Sequence, residues 1–290
     1  MALDRSNRYP GRFDNPTTTS PQGAFKNRTS PTAQDGSYFE ADWVNDWDGF
    51  FARILNVAGV TPNGVIDTGS ASQLYDALMM ATPGRLIKRT VFTSSGLFVP
   101  QSNTKLLIVE VQGAGGGGGS AVVTSSGTMS AGSGGGAGGY AMGYLTTIPT
   151  SQTVVVGNGG STGSSGGQSS FGTVVGLGGS GGSSSGDTAF PDNTIRQFVG
   201  GAGGIGTNGS VNLRGGNGGS TILTTSGNLI GGAGGASYFS ATGIPPSGST
   251  GAGVAGTFGS GGTGAISSGG GTAQTGGSGG NGLVIVWEYS

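Results

Sequence analysis

Gly178-Gly179-Ser180-Gly181-Gly182-Ser183 is built from a two-glycine-plus-one unit, and the chain writes the same hexapeptide pattern four more times. The other copies are Gly200-Gly201-Ala202-Gly203-Gly204-Ile205, Gly215-Gly216-Asn217-Gly218-Gly219-Ser220, Gly231-Gly232-Ala233-Gly234-Gly235-Ala236 and Gly276-Gly277-Ser278-Gly279-Gly280-Asn281. A period of three matches polyproline II geometry, which has three residues per turn and no internal hydrogen bonds. The amides of such a helix must bond outward. Faces without Cβ atoms let neighbouring helices approach closely through N–H to C=O bonds and Cα–H to O contacts, while the third residue of each unit points away. The competing reading is a flexible glycine-serine linker, because ordering glycine costs more backbone entropy than ordering any other residue. Tyr140, Phe171, Ile222 and the terminal Val284-Ile285-Val286-Trp287 argue for order, since a linker has no use for them.

Of the 68 glycines only nine precede Gln112, so two different materials are joined end to end. Charged residues are 9% of the chain and the net charge is −1; between Gly113 and Gly282 only Asp187, Asp192, Arg196 and Arg214 are charged. No basic patch is available to neutralise phosphates, which argues against nucleic-acid binding. Cysteine and histidine are absent, which removes disulfides, thiolate nucleophiles, imidazole acid-base chemistry and nearly all zinc-site spacings. Neither a metal nor another cofactor is expected. Spacings such as G-x-G-x-x-G arise by chance in so much glycine, and no strand-loop-helix context or Gly-Lys-Ser/Thr supports them. Asp187 and Asp192 are the nearest thing to a hydrolytic carboxylate pair, but in a Pro-containing loop they read as solvated turn residues. The expectation is a protein that is not an enzyme.

Residues 1–36 hold Pro10, Pro16, Pro21 and Pro31, which forbid a long helix, and are expected as an extended attachment arm. Residues 37–84 are expected as a helical oligomerisation region. Ser37-Tyr38-Phe39-Glu40 fits a capping box, followed by Trp43, Trp47, Phe50, Phe51, Ile54, Leu55 and Ala58 at helical spacing until Gly59. Ser70-Ala71-Ser72-Gln73 has the same capping spacing before a second stripe of Leu74, Ala77, Leu78 and Ala81. Two such helices are too small to bury these rings by themselves, so Trp43, Trp47, Phe50, Phe51 and Ile54 predict oligomerisation. The start of the chain has no apolar h-region and no run reaches membrane-spanning length, which predicts cytoplasmic synthesis without a signal peptide.

Residues 85–290 are expected as a small β structure carrying a polyglycine II bundle, giving a mainly β and irregular fold. Strands are expected over 86–93, 96–99, 105–112, 140–147, 153–157, 171–177, 220–225 and 283–289, where aliphatic and β-branched residues lie between turn signals. Specificity in such a domain must lie in the segments that interrupt the glycine. Two stand out, Ser183 to Val199, with Phe190, Asp192, Arg196 and Phe198, and Ser237 to Thr250, with Tyr238, Phe239, Pro245 and Pro246. Rigid aromatics on Pro-stiffened loops suit recognition of a sugar or a protein loop; plugging the ends of the glycine stack is the structural alternative for the same rings.

Tyr9-Pro10-Gly11-Arg12-Phe13-Asp14, Gly23-Ala24-Phe25-Lys26-Asn27 and Asp35-Gly36-Ser37, with the Trp-rich stretch and Thr61-Pro62-Asn63-Gly64, resemble the N-terminal region of tail-fibre proteins of contractile-tailed phages and Mu-like prophages. The stretch from Leu107 to Gly116, Gly138-Gly139-Tyr140-Ala141 and the closing Gly279 to Val286 resemble the glycine-rich tip domain of phage fibres, similar in principle to T-even phage adhesins. The resemblance implies a trimeric fibre on the virion tail, attached through the arm to tail or baseplate proteins, whose tip binds a bacterial surface glycan or outer-membrane protein. A purely structural fibre spacer and an ice-binding protein are the other readings; the first has no need of aromatic loops and the second leaves the arm and helices without a purpose.

Overall fold

The computed structural model describes every residue except 1–4, 20, 22, 38, 39, 83, 190–195 and 224–228. The fold is mainly strand and irregular backbone, and it divides into two compact units, Met1–Pro83 and Gly84–Ser290.

The first unit contains α1 (Arg5–Arg8), β1 (Phe13–Asp14), β2 (Ala24–Phe25), α2 (Ala41–Ala58) and α3 (Gln73–Ala81). The expected extended arm instead folds back on itself: β1 and β2 pair antiparallel with Phe13 opposite Phe25. Their rings begin an aromatic series, Phe13 to Phe25 at 5.0 Å, Phe25 to Trp43 at 5.1 Å and Trp43 to Trp47 at 5.3 Å, which fastens the arm to α2. The capping box expected at Ser37 is absent. Ser37 Oγ accepts the Lys26 amide at 3.0 Å and donates to Arg12 O, so its hydroxyl is spent on the arm, and Glu40 stands at the N-cap of α2 without a side-chain capping bond. It stops at Gly59 in the left-handed region, φ 67°, the backbone state that favours glycine at a helix C-terminus.

The second capping box is also displaced. Ser72, not Ser70, caps α3, its Oγ accepting the Tyr75 amide at 3.0 Å, while the Gln73 side chain reaches Thr61 O and the Asn63 amide. Asp67 adds a second layer, accepting from Ser72 Oγ, Gln73 N and Leu74 N at 2.7–3.1 Å. The Ser72 hydroxyl first, then the two amides, hold its carboxyl below the ordinary aspartate range. Of the apolar stripe on α2 only Trp43 is buried; Trp47 and Phe50 stay 46% and 61% exposed.

In the second unit, β3 (Leu86–Phe92), β4 (Gly96–Phe98), β5 (Leu106–Gln112), β7 (Tyr140–Leu145), β8 (Gln152–Val155), β9 (Ser169–Phe171), β10 (Val174–Gly176), β13 (Gly206–Thr207), β14 (Val211–Leu213) and β20 (Leu283–Tyr289) form two antiparallel sheets. Their orders are β14-β7-β5-β20-β3 and β13-β10-β9-β8-β4. The inward residues of the two sheets, including Leu107, Val109, Val111, Val154, Phe171, Val284 and Val286, meet in one buried core. The strand expected over 171–177 is a hairpin instead, because Gly172 adopts φ 57° and turns β9 into β10. Asn208, at φ 59°, turns the chain from β13 in one sheet to β14 in the other.

Glycine-rich runs leave the sandwich, travel away and return. The 113–119 run shows how they are held. Gly113, Gly116 and Gly119 donate to Gly139, Gly136 and Ser133; Ala114 and Gly117 donate to Gly167 and Ser164; Gly115 and Gly118 donate to Gly280 and Gly277, all at 2.8–3.0 Å. Its carbonyls accept in the same rhythm, Ala114 and Gly117 from Gly179 and Gly182, Gly115 and Gly118 from Gly160 and Gly163, Gly116 and Gly119 from Gly262 and Ala265. The period of three thus points this run at six neighbours in turn. An added Cβ at Gly115, Gly116 or Gly117 would lie 2.0–2.1 Å from a neighbouring carbonyl oxygen, which is why the stretch from Gly115 to Gly119 is uninterrupted glycine. The five hexapeptides lie outside it, with Ser180, Ala202, Asn217, Ala236 and Ser278 exposed as third residues.

Candidate functional site

The end of the glycine body away from the sandwich is closed by a second small β cap, formed by segments that leave one run and enter the next. Here β6 (Thr128–Ala131) and β19 (Ile266–Ser268) are the central strands of a sheet ordered β11-β6-β19-β18, with β11 (Thr188–Ala189) and β18 (Thr250–Gly251) at its edges. Two further pairs flank it, β12 (Arg196–Phe198) with β15 (Thr221–Leu223), and β16 (Leu229–Ile230) with β17 (Ser247–Gly248). Period-two alternation turns Met129, Ala131, Leu223, Leu229 and Ile266 into a compact buried cluster on which Phe198 packs. Turns above it are pinned by hydrogen bonds: Gly269 N to Thr128 O, Gly270 N to Ser125 O, and Ser267 Oγ to Thr272 O at 2.9 Å.

This cap is the remote end of the unit. Gly84, the unit's first residue, donates to O of Ser290, its last, at 2.9 Å, and Ser290 returns a bond to Arg85 O at 3.0 Å. They lie at the outer ends of two neighbouring sandwich strands, Gly84 before the edge strand β3 and Ser290 after β20, with the whole length of the glycine body between them and the cap. Among the interruptions of the glycine, those over 121–131 and 265–275, which supply β6 and β19, lie at the centre of the cap.

The residues singled out in the sequence separate into two groups. Arg196 is exposed on β12 and Phe198 packs on the cap core. Phe190 and Asp192 fall outside the described residues. Tyr238 and Phe239 are not at the cap at all. Tyr238 stacks on Tyr140 with ring centroids 4.1 Å apart, Phe239 meets both rings edge-on, and the Tyr238 amide donates to Gln112 Oε1; Gln112 ends a sandwich strand. The segment 237–250 is therefore a turn at the sandwich end, a leg that climbs the body past half-exposed Pro245, and a cap strand at Ser247–Gly248. Pro246 secures the top of that leg by accepting the Gly231 amide at 2.9 Å.

Neither a family model nor a curated protein matches this chain.

What the cap offers is a firm surface with exposed aliphatic groups and a few charges. Val123, Val199, Ile222 and Ile230 are 63%, 73%, 50% and 63% exposed there, and none was a candidate from sequence. Ile222 lies on the strand expected over 220–225, which the structure has as β15, but was read there for order and not for binding; Ala121-Val122-Val123-Thr124 is an apolar step too short to read as a strand. Asp187 and Arg196 are exposed, and neither side chain has a hydrogen bond or ion pair among the described residues. No group of potential metal ligands occurs among the described residues, and none of their helices is long and apolar enough to cross a membrane. The chemistry such a surface supports is recognition by shape, apolar contact and a few hydrogen bonds.

Proposed function

We propose that the chain is a phage tail-fibre adhesin, carried on the virion tail, whose receptor-binding surface is the cap of its glycine-rich unit. The observation that supports this is the position of the cap: it is the end of the unit farthest from where the chain enters, held there by a body whose successive amides bond to different neighbours. In this reading the runs are polyglycine II helices and act as a rigid strut. Rigid display removes the ordering cost a flexible stalk would add on binding. The partner is a bacterial surface glycan or outer-membrane protein, and the first unit joins the chain to tail or baseplate proteins.

The test is adsorption of purified protein to intact cells of candidate host strains. Replacing Val123 by Ser, Arg196 by Ala and Ile222 by Ala removes exposed contact area but no backbone bond of the cap. Adsorption should fall at least about tenfold, the scale of a lost binding hot spot, with the melting temperature unchanged. Undiminished adsorption by this triple variant would sink the assignment of the cap as the receptor surface.

The same reading makes the first unit the site of homotrimer assembly. Trp47, Phe50 and Phe51 border a cavity of about 240 Å³ with Asp46 on its rim, and rings this exposed on one face of a helix are what association covers. Light scattering should give three chain masses for the intact protein and a lower mass for Trp47→Asp, whose glycine-rich unit keeps its melting temperature. A monomeric wild-type protein at micromolar concentration would remove the trimer.

A further inference from the structure

Tyr238 combines two properties that rarely coincide: it is 59% exposed and yet held on every side that matters. One ring face is taken by Tyr140, with an interplanar angle of 21°, and Phe239 lies edge-on at 5.1 Å. The backbone beneath is a closed turn, Ser237 N to Ser240 O at 2.9 Å, Ser240 N to Ser237 Oγ at 3.0 Å and Ser237 Oγ to Phe258 O at 2.7 Å. Tyr140 is itself anchored, its hydroxyl donating to Glu110 Oε2 at 3.1 Å. Burial, reinforced by that carboxylate, pushes the Tyr140 phenol up, so it stays protonated. Tyr238 is therefore a pre-positioned aromatic platform that loses little side-chain freedom when something is laid on it.

Beside it opens a cavity of about 140 Å³, bordered by Tyr140, Leu213, Arg214, Ser237 and Tyr238 and otherwise by glycine and alanine backbone. Arg214 is the only charged residue on that border, is exposed, and has no side-chain hydrogen bond or ion pair among the described residues. A planar guanidinium and an aromatic ring bordering one cavity suit a ligand with a carboxylate on an apolar ring edge, because the fork bonds the carboxylate bidentately while the ring covers C–H surface. The space is well below the roughly 300–1,000 Å³ of an enclosing small-molecule pocket, so it takes one ring with the remainder of a chain outside.

We propose that Tyr238 and Arg214 form a binding site for a single acidic pyranose of a polysaccharide, at the sandwich end and separate from the cap. The site stands on its own residues and does not depend on the cap being the receptor surface. Saturation-transfer NMR on the intact protein, with glucuronate, galacturonate and N-acetylneuraminate as probes and galactose and acetate as controls, tests it. At least one acidic sugar should receive saturation in preference to both controls. Arg214→Gln should weaken that sugar about tenfold, the scale of a lost charge-assisted hydrogen bond, and Tyr238→Leu should remove the transfer while the melting temperature holds. The proposal is overturned if none of the three acidic sugars binds the wild-type protein, if acetate binds as well as they do, or if Arg214→Gln leaves the acidic sugar unaffected. Loss of sugar binding with normal adsorption to cells separates this site from the cap.

Discussion

Gly261→Ala is expected to destabilise the glycine-rich unit by about 3 kcal/mol or more, at the top of the usual range for overpacking. Its added Cβ would sit 1.9 Å from Gly135 O, 2.6 Å from Gly135 C and 2.9 Å from Gly235 N. These atoms cannot move aside, because Gly235 N donates to Gly135 O at 2.8 Å, Gly135 N to Gly262 O at 2.9 Å and Gly261 N to Gly235 O at 2.9 Å. One methyl group therefore opposes three mutually bonded runs, and relief for one contact lengthens the bonds of another. For a unit of this size the loss corresponds to about 6–12 °C in melting temperature. Ser180→Ala is the matched control, an exposed third position in the same body, and should stay within about 0.5 kcal/mol. Equal melting of Gly261→Ala and wild type would mean that the runs are not packed as described.

Phe171→Ala should cost about 3–5 kcal/mol, the range for truncating a buried aromatic. Phe171 is fully buried, its ring lies 5.5 Å from that of Phe98, and its strand stands between β8 and β10 in the second sheet. The two-residue step from β9 to β10 leaves no slack through which the sheet could collapse into the vacated space. Because runs on both sides of this hairpin continue from its strands, hydrogen exchange in the body should rise together with that of the sandwich. Leu97→Ala, 62% exposed on β4 at the edge of the same sheet, should change stability by no more than about 0.5 kcal/mol. Denaturant unfolding of the two variants distinguishes a single cooperative unit from a stable sandwich bearing loose glycine.

The capping boxes show where local reading fails. Ser37 and Ser70 both have the right residue three positions later, yet Ser37 is consumed by Lys26 and Arg12, and the helix after Ser70 begins two residues on, where Asp67 can reach Ser72 and two amides. A hydroxyl bonds whichever donor or acceptor the fold brings nearest, and the sequence does not say which. The cap strands β6 and β11 failed to register for another reason. Thr128–Ala131 and Thr188–Ala189 are four and two residues long, so they carry almost no periodicity, and their pairing partners are far away along the chain.

By itself the sequence determined what this protein is made of: a helical unit with an aromatic face, and a glycine-rich unit with a period of three between aliphatic strands. It did so because these are local regularities, a 3.6-residue stripe, a two-residue alternation and a triplet that leaves two faces bare. Only the tertiary structure decided which runs lie at the centre, because burial on all faces, as at Gly115 to Gly119, depends on six neighbours drawn from the whole unit. It also decided that Arg196 and Phe198 stand at one end while Tyr238 and Phe239 stand at the other. A turn's sequence encodes its local bend but not the strand that receives it, as at Asn208, which carries the chain from one sheet of the sandwich to the other.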